Sequence, residues 1–190
     1  MYSALMSTYR WLRSQPHTVA IFSTRALPLD EARRSDFTDA VRAMSIKLAR
    51  DIVAQSEGAT KLIETRVRLD SSVADARIMA KKIANSPLVK TAVHGGDPNW
   101  GRVVMAIGKP DERLAIGAIA RDSVVIEMMG RVVFSRTQPV AVDLAALSRE
   151  LKAESRISID VRIGEGRHFA TVWGCDLSRR YVDINADYTT

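Results

Sequence analysis

Residues 156–176 read RISIDVRIGEGRHFATVWGCD, and this stretch carries the clearest structural signal in the sequence. Apolar and polar residues alternate from Ile157 to Ile163, which is the pattern of a β-strand with one buried face. Gly164-Glu165-Gly166 then predicts a turn. Residues 168–176 predict a second strand, which we expect to pair back on the first.

A helical pattern lies far upstream of these two strands. Residues 36–55 predict an amphipathic helix with Ser35 as its N-cap. Its apolar stripe has helical spacing and consists of Phe37, Val41, Met44, Leu48 and Ile52. If no strand packs on this stripe, the stripe is exposed and favours association or poor solubility.

Two further helices are predicted from their caps. One begins after Ser71-Ser72 and runs to about Asn85, and Pro87 ends it because proline cannot continue a helix. The other covers about 144–154 and is capped by Asp143. The expected buried face of the first of these helices consists of Val73, Ala76, Ile78, Ala80 and Ile83.

Short apolar and β-branched runs predict the remaining strands. These runs are residues 18–23, 60–69, 88–93, 114–120, 123–129, 132–134 and 180–184. Helices and strands are interspersed, and several strands are joined as hairpins. The fold class is therefore α+β, with mixed or antiparallel sheets and packed helices.

The composition narrows the class of function. The chain has 190 residues, of which 46% are hydrophobic and 26% charged, the balance of a soluble globular protein. No apolar run reaches the ~18 residues of a membrane span. The net charge of +6 invites a nucleic-acid interpretation, but the basic residues are dispersed among acids. A basic surface suits small anions such as amino-acid carboxylates equally well.

Cysteine and histidine give weak signals. The single cysteine, Cys175, forms no internal disulfide and is consistent with a reducing cytoplasm. We expect it to pack as a small hydrophobic side chain in a strand. His94 and Asp97 lie in one loop, but two candidate ligands fall short of a metal site. No histidine accompanies a G-x-S-x-G stretch, so serine-histidine-acid catalysis has little support.

Three segments are candidates for a binding site. In SEGATK, residues 56–61, Glu57 lies at a helix-to-strand turn, where it either binds a ligand ammonium or is a solvated acid. The loop HGGDPNWGR, residues 94–102, favours a rigid turn beside an active site over the alternative of metal or phosphate binding, and Asp97 is the candidate ion-pair partner of Arg102. The terminal segment 181–190, taken alone, predicts a strand with a loose tail.

Taken together and in this order, these segments resemble a known family. SEGATK, ANSPLVKTAVHGGDPNWGR and ATVWGCDLSRRYVDINADYTT are similar to the C-terminal part, or β chain, of the ornithine acetyltransferases, also called bifunctional glutamate N-acetyltransferases. The resemblance covers roughly Thr18 to Thr190. It implies the C-terminal part of that fold, with a divergent segment at 1–17, a remnant of the central catalytic α/β layer at 18–70 and, at 71–190, the α+β domain that ends the family's β chain.

The resemblance also implies a chemistry. Members transfer an acetyl group from N-acetylornithine to L-glutamate, which yields L-ornithine and N-acetylglutamate in arginine biosynthesis. They are cytoplasmic, they cleave themselves before a threonine, and that threonine attacks the acetyl carbonyl. An oxyanion hole on the α chain stabilises the intermediate. The α chain is thus the expected partner in an oligomer, and no metal or organic cofactor is needed.

Three substrate-binding residues are carried over by motif. Glu57 matches the glutamate of the E-G-A-T-K motif, Asn185 matches the asparagine near the C-terminus, and Thr190 matches the terminal hydroxyl residue. A carboxylate suits the substrate ammonium, while amide and hydroxyl groups suit its carboxylate.

The sequence departs from the family upstream. It has no Ala-Thr-Met cleavage motif, so no catalytic residue is assigned within these residues. Our hypothesis is a truncated or frameshifted reading frame, or a separately started fragment, that is inactive alone. Two alternatives stay open: a non-catalytic remnant that binds an amino acid or a partner, and a small nucleic-acid binder.

Overall fold

A computed structural model describes residues 30–114, 119 and 121–186. The predictions for residues 1–17, the strand at 18–23, most of the strand at 114–120 and Thr190 lie outside the described residues. The chain divides into two compact units, Met1–Asp51 and Ile52–Thr190. Residues on both sides of the predicted 70/71 boundary lie in the second unit, and the assignment of 18–70 to a catalytic layer stays a prediction.

The second unit is built on a six-stranded sheet. Its strands are β1 Leu62–Leu69, β2 Val124–Met128, β3 Arg131–Ser135, β4 Gln138–Pro139, β5 Arg156–Ile163 and β6 His168–Cys175. The order is β4-β3-β2-β5-β1-β6, in which β1 and β5 are parallel and every other neighbouring pair is antiparallel. The predicted α+β class with a mixed sheet is confirmed.

The predicted pairing of the last two strands is wrong, because β1 lies between β5 and β6. Val67 of β1 pairs with Val161 on one side and with Ala170 on the other. Asp70, directly after β1, accepts hydrogen bonds from the backbone N–H groups of Glu165 and Gly166, both at 2.9 Å. The glycine turn between β5 and β6 therefore spans the end of β1 and does not close a two-strand hairpin.

The helices found in the described residues are α1 Glu31–Ala54, α2 Val73–Ala84, α3 Pro87–Gly95, α4 Trp100–Gly108, α5 Leu144–Ala153 and α6 Arg179–Ala186. None of them combines the length and the apolarity needed to cross a membrane. The caps predicted for α2 and α5 are confirmed: Ser72 accepts a hydrogen bond from the Asp75 N–H, and Asp143 accepts one from the Ala146 N–H.

One face of the sheet packs against helices. The buried side chains alternate along β1 and β5, and α2 packs against β1 and β6 with a face of mostly small residues. The buried apolar residues of α2 are Ala76, Met79, Ala80, Ile83 and Ala84. Two positions on the predicted face differ, since Val73 is exposed and Ile78 is only half-buried. Small residues let the helix backbone approach the sheet closely, which favours dense packing.

Two predicted strands are helices. Residues 88–93 lie in α3, where Pro87 takes the first helical position and Ser86 caps the N-terminus. Proline suits that position because its missing N–H has no helical partner there. Residues 180–184 lie in α6, and Ser178 accepts a hydrogen bond from the Tyr181 N–H at the start of this helix.

Helix α1 begins earlier than predicted. Its cap is Asp30, which accepts a hydrogen bond from the Arg33 N–H at 2.8 Å, so the prediction of Ser35 as the cap is wrong. The predicted helix itself is confirmed, and Val53 is its buried residue. Much of the apolar stripe is exposed, with Phe37 at 51% and Met44 at 65%.

Candidate functional site

The SEGATK turn is held at the end of β6 by one buried carboxylate. Asp176 is only 2% exposed. It accepts hydrogen bonds from the Thr60 N–H at 2.8 Å, the Thr60 hydroxyl at 2.6 Å and the Lys61 N–H at 2.9 Å. Residues far apart in the sequence thus form one closed hydrogen-bonded group.

His94 completes this group from helix α3. Its Nδ1 lies 2.7 Å from Oδ2 of Asp176. Burial alone would raise the pKa of Asp176, but the hydrogen bonds from Thr60, His94 and Lys61 outweigh it and hold this pKa below its usual value. Because an ionised carboxylate only accepts, Nδ1 of His94 carries the proton of this bond, a tautomer assigned from the hydrogen bond.

A second buried side chain, Ser178, links the turn to helix α6. Its hydroxyl donates to the Gly58 carbonyl and accepts from the Tyr181 N–H at 3.1 Å. Gly58 has φ +67°, and a Cβ there would lie 2.5 Å from the Tyr181 nitrogen. Glycine favours this conformation, and the close approach leaves no room for a Cβ, so the turn packs directly on the first turn of α6.

The predicted binding residues flank this contact. Glu57 precedes Gly58 in the turn and is exposed. Asn185 lies on α6, one helical turn after Tyr181, and its Nδ2 donates to the Tyr181 carbonyl at 2.9 Å. The structure therefore brings the Glu57 turn against the helix that carries Asn185, whereas Thr190 lies outside the described residues.

Lys61 anchors the same turn on its other side. Its side chain is buried, and Nζ donates to the carbonyls of Lys152 at 3.1 Å and Glu154 at 2.8 Å. These carbonyls belong to the C-terminal end of α5, where helical carbonyls have no partner within the helix. Lys61 thus has a structural role, because it satisfies the end of α5 and fastens the turn.

In the loop after His94, the structure differs from the prediction in one contact. Arg102 donates to the Leu88 carbonyl at 2.8 Å and to the Thr91 hydroxyl at 3.1 Å, so its predicted pairing with Asp97 is wrong. Asp97 accepts instead from the Asn99 amide at 3.0 Å. Arg102 reaches Leu88 and Thr91 because these residues lie in a helix and not in a strand.

Trp100 begins α4 and stacks on a strand residue. Its ring lies 4.8 Å from that of Phe134 on β3, at an interplanar angle of 24°. Such stacked aromatic pairs contribute about 1 kcal/mol beyond the burial of their surface. The residues that follow the HGGDP turn are therefore tied to the sheet.

Sequence similarity now identifies the family. The sequence model of the ArgJ family matches residues 13–190. The chain belongs to the ArgJ family. The TVAIFS to ADYTT region that carried the resemblance lies wholly within this match.

Individual members of the ArgJ family agree with this assignment. The arginine biosynthesis bifunctional protein ArgJ of Deinococcus radiodurans is 42% identical over 160 residues, which are 84% of this chain and 39% of that protein. The protein of the same name from Listeria monocytogenes serotype 4b is 43% identical over 154 residues, 81% of this chain and 37% of that protein. The chain thus spans about two fifths of the length of the curated relatives it matches.

A solved member of the ArgJ family has the same fold. The crystal structure of ArgJ from Bacillus halodurans superposes with a TM-score of 0.77 at 27% sequence identity. The match covers 99% of this chain and 94% of the solved chain, so the two chains have nearly the same length. The α+β fold described above is therefore that of an ArgJ chain.

Three residues that hold the turn at 56–61 of this ArgJ chain were not predicted from the sequence. Thr60 lies within SEGATK, and Asp176 and Ser178 lie within ATVWGCDLSRR, but none was singled out. Ser178 has a recognisable signal, because serine just before a helix is a favoured cap. The wrong prediction of a strand at 180–184 hid it. No local signal identifies Asp176, since its partners lie up to 116 residues away.

Over residues 30–114, 119 and 121–186, no group of three or more His, Cys, Asp or Glu side chains is placed to hold a metal ion. His94 bonds to Asp176. Cys175, at the end of β6, is a half-buried free thiol.

Proposed function

We propose that this chain supplies the amino-acid-binding part of an acetyltransferase of arginine biosynthesis, which moves an acetyl group from N-acetylornithine to L-glutamate. Membership of the ArgJ family and the relatives' name, arginine biosynthesis bifunctional protein, support the pathway. The observation that carries the site is the contact of Gly58 with Tyr181, because it joins the turn of Glu57 to the helix of Asn185.

The proposed roles follow from the chemistry of each side chain. The Glu57 carboxylate binds the ammonium of the amino-acid substrate through a charge-assisted hydrogen bond. The amide of Asn185 and the hydroxyl of Thr190 bind the substrate carboxylate. A side-chain amide nitrogen has two N–H donors, and the bond to Tyr181 occupies one, so the second is available to the carboxylate.

The nucleophile in this proposal comes from outside these residues. A threonine hydroxyl attacks the acetyl carbonyl of N-acetylornithine, its proton passes to the threonine α-amine, and ornithine leaves with a proton on its nitrogen. The amine of glutamate then attacks the threonine ester and loses a proton, and the threonine oxygen leaves and is protonated back to the hydroxyl. Donors on the α chain stabilise both tetrahedral intermediates. The proposal includes that α chain as partner, an oligomeric assembly in the cytoplasm, and no cofactor.

Reconstitution tests the function. The purified 190-residue chain is assayed with N-acetylornithine and L-glutamate, alone and after co-expression with the N-terminal region of the Deinococcus radiodurans relative. We expect no acetyl transfer by the chain alone and transfer by the co-purified pair. Glu57→Gln in the pair should lower kcat/KM about 30-fold, the equivalent of about 2 kcal/mol for a hydrogen bond to a charged group.

A matched variant and two contrary outcomes sharpen this test. Glu165→Gln removes an exposed acid from a different turn and should leave kcat/KM unchanged. Acetyl transfer by the chain alone would show that its nucleophile lies within these residues. A folded, co-purified pair without transfer would contradict the enzymatic proposal.

The exposed stripe of α1 favours a second candidate, a non-catalytic remnant that binds a partner. Phe37 and Met44 present apolar surface of the kind that marks interaction sites. This candidate predicts binding of an amino acid or of the partner region without turnover in the pair. Binding to DNA that weakens steeply with salt would instead favour the nucleic-acid alternative.

A further inference from the structure

We propose that Asp176 is a positioning residue of the amino-acid site. Together with Ser178, it holds Glu57 and Asn185 at a fixed position relative to each other. This inference rests on the proposed function, because Glu57 and Asn185 are substrate contacts only under that proposal. Asp176 itself is buried. Its effect passes through the turn at 56–61 and through helix α6.

Asp176 holds the Glu57 turn in place from the strand side. Both the N–H and the hydroxyl of Thr60 donate to its carboxylate, at 2.8 and 2.6 Å, and the Lys61 N–H donates at 2.9 Å. Thr60 lies three residues after Glu57. Without these bonds Lys61 stays paired with β6, because its carbonyl still accepts from the Asp176 N–H at 3.2 Å, and its side chain keeps its own anchor. The turn also keeps its backbone bond from Ala59 to Ser56. The stretch from Glu57 to Thr60, however, loses the side-chain bonds that hold it at the end of β6.

Ser178 links the same turn to helix α6. It lies two residues after Asp176, is similarly buried, and bonds to both the Gly58 carbonyl and the Tyr181 N–H. Between the two, the Leu177 N–H lies 3.4 Å from the Lys90 carbonyl on α3. The segment 176–178 is therefore bonded both to the turn at 56–61 and to helix α3. Because Ser178 also bonds to α6, a displacement of the turn should displace α6 as well.

A carboxylate does this better than a neutral group, because all of its polar partners donate. Oδ1 accepts two backbone N–H groups, and Oδ2 accepts the Thr60 hydroxyl and the His94 imidazole. In Asp176→Asn, an NH2 group replaces one of these oxygens. This NH2 group is itself a donor and would face groups that also donate. Otherwise the Thr60 hydroxyl would have to rotate and His94 would have to change its tautomer. Substitution by asparagine keeps the shape and disturbs the hydrogen bonding, which makes it a sharp probe.

The experiment measures affinity for L-glutamate and L-ornithine by calorimetry, together with amide hydrogen exchange. Asp176→Asn and Thr60→Val should each weaken amino-acid binding by about tenfold. Both should speed exchange at residues 57–61 and 178–186. Thr60→Val removes only the hydroxyl contact at nearly constant volume, so it tests the inference even if Asp176→Asn fails to fold.

The matched control is Asp75→Asn. Asp75 is also a buried carboxylate with hydroxyl donors, since it accepts from Ser71 at 2.7 Å and Ser72 at 2.8 Å, but it lies at the start of α2. The Asp75→Asn variant should have a lower free energy of unfolding, while its affinity for the amino acid stays within twofold of that of the wild type. A purely structural role of Asp176 predicts equal effects of the two substitutions.

The outcomes separate this inference from the proposed function. If the wild-type chain binds an amino acid and Asp176→Asn and Thr60→Val bind equally well, the positioning inference is wrong and the function stands. An equal loss of affinity in Asp75→Asn also overturns the inference alone. If the wild type binds no amino acid, neither alone nor in the reconstituted pair, the proposed function fails and the inference falls with it.

Discussion

The Nδ1 atom of His94 lies 2.7 Å from Oδ2 of Asp176, which joins the last turn of helix α3 to the end of strand β6. The two residues are 82 positions apart in the sequence. Because the Asp176 carboxylate is buried, each of its donors offsets part of the cost of removing a charge from water. The surroundings of the SEGATK turn therefore depend on this bond as well as on contacts within the turn.

Replacing His94 by alanine should destabilise the protein. The substitution removes one donor from a buried charge, and hydrogen bonds to charged groups contribute about 1.5 kcal/mol or more. The free energy of unfolding from urea titration measures the loss. His168→Ala is the control, because His168 is half-buried like His94 but its side chain has no hydrogen bond to another described residue, and it should change stability by less than about 0.5 kcal/mol. An equal loss in both variants would contradict the role of the His94 bond.

Gly58→Ala should displace helix α6 from the turn. The added Cβ would meet the Tyr181 nitrogen at 2.5 Å, and the backbone at φ +67° is itself unfavourable for alanine. Gly130→Ala separates the two effects, because Gly130 has φ +75° but nothing within 4 Å of an added Cβ. We expect a loss of about 1 kcal/mol for Gly130→Ala, which is the conformational cost alone. Calorimetric unfolding should show a clearly larger loss for Gly58→Ala.

Asp70→Asn should change stability in a pH-dependent way. The backbone N–H of Glu165 is the main cause that lowers the pKa of Asp70, with further N–H donors from Arg167 and Gly166. Because folding lowers this pKa, the ionised Asp70 carboxylate stabilises the folded protein at pH values above its unfolded pKa of 3.8. This contribution is lost as the pH falls through the lower pKa of the folded state. Thermal unfolding should therefore show the variant less stable than wild type at pH 7, with the difference shrinking below pH ~4.

The control for Asp70 lies in the loop that it binds. Glu165→Gln alters the charge of the same loop but leaves its backbone donors intact, so it should not reproduce this pH dependence. A difference between Asp70→Asn and wild type that is constant from pH 7 to pH 3 would count against the assignment.

Met79→Ala should strongly destabilise the core between α2 and the sheet. Met79 is fully buried, and truncation of such a side chain costs about 3 kcal/mol through lost burial and a residual cavity. Met105→Ala on helix α4 is the matched control, because Met105 is 63% exposed. Chemical denaturation should show little change for the control. A small effect of Met79→Ala would mean that the site collapses around the smaller side chain.

Local elements were predictable where their signal is local. The strand at 156–163 follows from alternation, because neighbouring side chains of a strand face opposite sides. Helices α2 and α5 follow from Ser72 and Asp143, because a cap bonds to an N–H only three residues away. The strand predicted at 88–93 failed because Pro87 was interpreted only as the end of α2, whereas proline also begins helices.

The candidate site was only partly predictable. The family motifs predicted Glu57, Asn185 and Thr190 as site residues, and these assignments stay predictions. Asp176 was not identified, because a polar residue after a strand looks the same whether it is solvated or buried. Ser178 was not identified, because the residues after it were predicted as a strand and not as the helix that it caps. Their burial depends on segments distant in sequence, such as Thr60, which is 116 positions from Asp176.

By itself, the sequence determined the α+β class, most of the strands, the capped helices and the resemblance to one family, because these depend on periodicity, on caps and on contiguous motifs. Only the tertiary structure decided that β1 lies between β5 and β6 and that a buried carboxylate gathers Thr60, Lys61 and His94. The physical reason is that pairing and burial are properties of segments brought together across the chain, and the free energy of a strand or of a charge depends on what packs beside it.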